Sequence, residues 1–114
     1  MPNTFKNAEL ICSTALTDAY LCPTTNVNGN VSASVVLMIQ ASNVSDRADV
    51  LTVLWTDFSN SNAVTRLVYQ VPVPAQQAIG VLTGKLVLEP GDKIRAQCGT
   101  FQVIELSISV LETS

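Results

Sequence analysis

The residues that could do chemistry in this chain are few. Nine carboxylates are present: Glu9, Asp18, Asp46, Asp49, Asp57, Glu89, Asp92, Glu105 and Glu112. Two pairs sit close enough in sequence to share a loop, Asp46 with Asp49 and Glu89 with Asp92, and either could meet a cation. Neither follows the DxDxDG spacing of a calcium loop. Asp and Gly are favoured in solvated turns for backbone reasons alone, so a turn is the expectation at both places. In "EPGD", Pro90 presets φ at the first corner position and Gly91 supplies the positive φ that a type II turn needs next. With "KLVL" before and "KIRAQC" after, the stretch predicts a hairpin-like corner without a catalytic partner. There is no histidine. That removes the commonest general base, the commonest metal ligand and every Ser-His or Cys-His nucleophile pair. No glycine-rich phosphate loop is present either, because "GTF" after Cys98 has no lysine and opens no helix. The residues therefore predict no catalytic, metal or cofactor site.

Cys12, Cys22 and Cys98 are odd in number and contain no CxxC pair. They read as reduced, mostly buried thiols acting as small hydrophobes. A Cys12–Cys22 bridge is geometrically conceivable, but spacing alone does not argue for it. The Asn-x-Ser sequons at Asn30 and Asn43 matter only in an exported protein. A sugar-binding sandwich would need an aromatic platform. Of the six aromatics, Trp55 and Tyr69 fall inside apolar runs and are expected in the core.

What positions these residues is a set of strands. The chain has 114 residues, 47% hydrophobic and 13% charged, which suits one domain and excludes disorder. The surface must then be rich in uncharged polar groups, a composition compatible with extensive protein contact. The net charge is −3 and the six basic residues are scattered, so no phosphate-binding patch exists and nucleic acid is not expected as a partner. The longest strongly apolar stretch, Val35 to Ile39, is far short of the ~20 residues of a membrane span. The start "MPNTFKNAEL" lacks a signal-peptide core, and synthesis and folding in the cytoplasm are expected.

Apolar residues recur with a period of two, the mark of half-buried strands. The inward rows predicted are Val31, Ala33, Val35, Leu37, Ile39 and Ala41; then Leu67, Tyr69, Val71 and Val73; then Ile94, Ala96 and Cys98; and last Ile104, Leu106, Ile108 and Val110. "DVLTVLW" at residues 49–55 is apolar on both faces and suits a central strand. Pro72 and Pro74 suit a sheet edge or a crossing between sheets. Turn signals separate these runs at the spacing of an all-β protein. The expected fold is an antiparallel two-sheet β-sandwich of jelly-roll kind with about eight strands; an immunoglobulin-type sandwich is the rival. Residues 1–7 are expected to form an extended N-terminal arm spanning roughly 20 Å, with Phe5 as its one large apolar anchor, and residues 8–114 the single domain.

Three segments, "MPNTFKNA", "VLTVLWTDFSNSNAVTRLVYQVPVPAQQAIGVLTGKLVLEPGDKIRAQ" and "ISVLETS", resemble a group of small virion proteins of tailed phages. That group opens with "MxNTFK" and carries a "vPxxxxxxVLxGkLxLexGDxixa" stretch and a closing "vSvLE". The matching positions here are Pro74, Val81, Leu82, Gly84, Leu86, Leu88, Gly91 and Asp92, then Ser109 to Glu112. The resemblance covers most of the chain and is thinnest over residues 12–30. It implies a non-enzymatic capsid cement, or decoration, protein on the outer surface of the virion head, at junctions of the major capsid protein. It further implies a homo-oligomer, with a trimer favoured, that braces the shell against internal pressure. On this reading Pro2, Asn3, Thr4, Phe5, Lys6 and Asn7 are the expected capsid contact. The alternatives are a neck, tail-adaptor or baseplate structural protein and, in another class, a ligand- or sugar-binding sandwich module.

Overall fold

A computed structural model of the chain describes residues 3–113. Its strands are β1 (Thr4–Ile11), β2 (Thr17–Leu21), β3 (Thr25–Asn26), β4 (Gly29–Asn30), β5 (Ala33–Asn43), β6 (Asp49–Asp57), β7 (Ala63–Val73), β8 (Ala78–Gly80), β9 (Leu86–Leu88), β10 (Lys93–Cys98) and β11 (Ile104–Thr113). One 3₁₀ turn, Phe58–Asn60, follows β6.

Two antiparallel sheets form the sandwich. The first has the order β1-β11-β5-β8, with β9 also on β5; the second has the order β2-β10-β6-β7. β8 pairs with Gln40–Ser42 and β9 with Ser34–Val36, so the two short strands act as one interrupted edge strand. Val81, between them, donates its N–H to the Ile39 carbonyl and keeps the chain against β5. Counted this way, four strands face four, and the main chain crosses between sheets at β1–β2, from β2 to β5 through β3 and β4, and at β5–β6, β7–β8, β9–β10 and β10–β11. That order is the jelly roll. A third, two-stranded sheet, β3–β4, is a small separate hairpin.

The fold follows from alternation in the strands that carry no extra residue. Ile104, Leu106, Ile108 and Val110 of β11 are all buried, as are Ile94, Ala96 and Cys98 of β10, in agreement with the sequence period. β6 lies inside its sheet, and Leu51, Thr52, Val53, Leu54 and Thr56 are buried on its two faces. β7 is the edge that its prolines predict.

Two rows depart from the expected period. In β5 the register with β11 shifts between Ser109 and Val110, which pair with Met38 and Val36 and leave Leu37 as an extra residue. Before this bulge Ser34 and Val36 point inward, and after it Ile39, Ala41 and Asn43 do; Leu37 is exposed. In β7 the register passes from Leu51–Val71 to Val53–Val68, so Tyr69 and Gln70 together face Thr52. Gln70 takes φ 49° there and donates its N–H to Thr52 Oγ1 at 3.0 Å. Tyr69 is thereby turned out of the core to 57% exposure. A single inserted residue swaps the faces, because side chains alternate along a strand.

The expected boundary at residue 7 is also displaced. Thr4 to Asn7 are not a free arm but the first half of β1, paired from Thr4–Glu112 to Ile11–Glu105 with no irregularity. Alternation starts earlier than the expected boundary at residue 7, since Thr4, Ala8 and Leu10 are half-buried. Pro2 lies outside the described residues.

Candidate functional site

At the "EPGD" corner, Asp92 N–H donates to the Glu89 carbonyl at 2.9 Å, closing the turn, and Gly91 has φ 97°. The conformational reading holds, but the stretch is not a hairpin. β9 belongs to the first sheet and β10 to the second, so the turn carries the chain across the sandwich. Asp92 is buried: Oδ2 accepts the Glu89 N–H and Oδ1 the Phe58 N–H, both at 2.9 Å. Cys22 N–H donates to the Asp92 carbonyl and Gly91 N–H to the Cys22 carbonyl, tying the corner to the end of β2. The Asp92 side chain thus fixes the corner and the 3₁₀ turn, and the backbone on either side of it holds the end of β2.

Asp57, Glu89 and Asp92 can bring a carboxylate oxygen each within 4.8 Å of one another. Both Asp92 oxygens are already held by backbone donors, which explains its burial without an ion. Asp46 and Asp49 border a surface depression, and Asp49 accepts the Thr100 N–H at 2.9 Å and its hydroxyl at 3.4 Å. Its role there is to brace the loop between β10 and β11.

The arrangement that sequence reading missed surrounds Glu112. This carboxylate is only 1% exposed. Its Oε2 accepts the Tyr20 hydroxyl at 2.6 Å and its Oε1 the Asn26 side-chain N–H at 2.8 Å. The Tyr20 oxygen also lies 2.7 Å from Ser34 Oγ, and Ser34 Oγ is 3.1 Å from Cys22 Sγ. The network joins β11, β2, β5 and the β3–β4 hairpin at one end of the sandwich. A signal was present: Glu112 continues the inward row 104, 106, 108, 110. It is the only charged residue in that row.

The hydrogen bonds of this cluster tie the strands together at that end of the sandwich. Burial, reinforced by the hydrogen bond to Glu112, raises the Tyr20 pKa above its ordinary value. Burial likewise raises the Cys22 thiol, and it pushes Cys12 up to about 12, with the neighbouring Cys98 adding to the effect. Thiols held protonated are poor nucleophiles. All three cysteines are free and buried, as the sequence implies, and Cys12 has Cys98 rather than Cys22 as its neighbour.

The surface offers one larger open groove, about 530 Å³, lined by Glu9, Leu10, Ile11, Gln40, Ser42, Glu105, Leu106 and Ser107. It holds two carboxylates and no thiol, amine or aromatic platform. Tyr69, expected inside, is one of four exposed aromatic rings among the described residues, with Phe5, Phe58 and Phe101. The Arg66 guanidinium lies over the Tyr69 ring, 4.9 Å from its centre. Trp55 is half-buried against the core. Of the expected contact residues, Thr4 to Asn7 lie along β1, with Phe5 76% exposed on its outer face.

No protein-family profile matches the chain, and no curated protein matches it in sequence. Similar folds exist among solved structures. One is a protein from the Bacillus endospore appendages, which form a family of disulfide-linked pili. The two share 10% identity over 98% of this chain and 87% of that one, with a TM-score of 0.50. Two structures of oxalate oxidase, one with the substrate analogue glycolate, match 97% of this chain at 8% identity. This chain spans less than half of their length, 42%, with a TM-score of 0.33. The likeness to the appendage protein is one of fold: an antiparallel β-sandwich.

Proposed function

We propose that the chain is a non-catalytic structural subunit of a tailed-phage particle, a cement protein that seats on the outer surface of the head and bridges neighbouring major capsid subunits. One observation carries the reading. Apart from the Thr56 hydroxyl, the buried polar and thiol groups of the described residues are engaged within the fold, whereas large apolar side chains stand out at turns and loops. Val27 at the tip of the β3–β4 hairpin is 93% exposed, Phe101 between β10 and β11 62%, and Phe58 in the 3₁₀ turn 61%. Apolar side chains on turns of a rigid scaffold suit docking into a protein surface. The resemblance in the N-terminal, central and closing segments supplies the particle. Many copies that bind the assembled shell and not its free subunits stabilise it by mass action.

The test is copy number in purified particles, measured by quantitative mass spectrometry against the major capsid protein. A number comparable with the capsid subunit is the expected result. About a dozen copies or fewer would move the protein to the neck or tail, and absence from particles would overturn the proposal.

A further inference from the structure

We infer that the free edge of β1 is a self-pairing surface, on which a second copy of this chain adds its own β1 antiparallel and joins the two first sheets into one. A sheet edge presents unpaired N–H and C=O groups, and proteins ordinarily protect such edges with prolines, bulges, charges or short strands. The other edges here are protected in those ways. β7 carries Pro72 and two register shifts. β2 has five residues, a register shift against β10, and Asp18 held by Arg95 at 2.7 Å. β8 and β9 have three residues each. β1 has eight residues, no proline and no irregularity, and among the described residues no strand pairs with its outer side; Asn28 of the β3–β4 turn bonds only the Thr4 hydroxyl at its start.

The ladder fixes which backbone groups are free. Cys12, just past β1, donates its N–H to Ile104 of β11. In an antiparallel ladder alternate residues bond to the same neighbour, so Thr4, Lys6, Ala8 and Leu10 bond to β11. Phe5, Asn7, Glu9 and Ile11 then turn their N–H and C=O groups to the open edge. A two-fold axis normal to the sheet keeps inner and outer faces in common, and it therefore pairs odd positions with odd. Centred on Ala8, that axis sets Phe5 opposite Ile11 of the second copy and Asn7 opposite Glu9. All four open-edge residues of each copy find a partner. Phe5 and Ile11, 76% and 55% exposed in the single chain, cover one another, and no like charges oppose. Centring the axis on Asn7 instead would set Phe5 against Glu9 and leave Ile11 beyond the overlap. The sequence of β1 is thus complementary to itself in one register, which argues for a second copy as the occupant. This inference does not depend on the particle reading: copy number tests that one, and mass in solution tests this one.

The experiment is sedimentation equilibrium of the full chain, alone and as Glu9→Pro. The proline removes an N–H that points to the open edge and spares the bonds to β11. The expected result is a dimer, with Glu9→Pro raising its dissociation constant at least roughly tenfold while cooperative melting is kept. If that variant fails to fold, Ile11→Lys carries the test, since the side chain is exposed and the charge would face Phe5. Ala8→Cys fixes the register: it should cross-link to a dimer on oxidation far faster than Asn7→Cys. A monomer at high concentration, a trimer, an unaffected dimer in the folded variants, or preferential linking through position 7 would each overturn the inference.

Discussion

Glu112 is the residue on which one end of the sandwich depends. A buried carboxylate is tolerated only when its oxygens are engaged, and here Tyr20 and Asn26 engage both. Glu112→Ala takes the shared acceptor from both donors and should cost about 2–4 kcal/mol, read as a lower urea midpoint. Tyr20→Phe deletes the hydrogen bonds to Glu112 and Ser34 and should cost about 1.5–3 kcal/mol. Thr56 makes the opposite case. Its buried hydroxyl has no hydrogen-bond partner among the described residues. Thr56→Val keeps the shape, removes that hydroxyl, and should raise the melting temperature by the equivalent of about 1 kcal/mol. Both sites were only half legible in the sequence. The alternation of β11 places Glu112 inward, yet nothing local says that Tyr20, some ninety positions earlier, supplies the hydroxyl. Asn43 shows the same limit: read as part of a sequon, it is buried and donates to the Arg47 and Val73 carbonyls.

Strands that carry no extra residue could be read directly from period, and strands with a bulge could not. β10 and β11 keep one face throughout, so their inward rows were visible. β5 changes face at Leu37 and β7 at Gln70, and neither position carries the glycine that would advertise a bulge. What permits the positive φ at Gln70 is a hydroxyl from the adjacent strand, Thr52, a long-range fact. The "EPGD" turn was legible because its chemistry is local: proline, glycine and aspartate each do what their backbones and side chains prefer. Its destination was not, since a turn between strands reads alike whether it folds a hairpin or changes sheets. The turn can be tested as an element. Gly91 has φ 97°, and a Cβ there would come within 2.7 Å of the Phe58 ring. Gly91→Ala should therefore cost about 1–3 kcal/mol in thermal unfolding. Gly84→Ala, where nothing lies within 4 Å of the added carbon, should stay within about 0.5 kcal/mol of wild type.

At the scale of the molecule, the first and last strands are neighbours and β11 lies between β1 and β5, so the fold closes only when the chain is complete through β11. The same closure buries the groups that titrate in alkali. Cys12, Cys22, Cys98 and Tyr20 all have their pKa raised by burial, Cys12 from 9.0 to about 12. The direction of the resulting pH dependence follows from proton counting. When the folded-state pKa lies above the unfolded one, the folded form holds more protons in the interval between them, and stability falls as pH rises through it. Below pH 9 the groups are protonated in both states and contribute no slope. From about pH 9 to about 12 the unfolded chain loses the Cys12 proton first, and each further step in pH favours unfolding. The unfolding free energy should thus be flat on this account up to about pH 9 and decline steadily above it. Cys12→Ala removes the titrating group without adding a charge, at the cost of a small cavity. It should lower the plateau and make the alkaline decline shallower than in wild type, as measured by denaturant titrations repeated across the alkaline range. An unchanged slope in that variant would mean that Cys12 is already solvated in the folded chain, and that its contact with Cys98 is looser than its burial indicates.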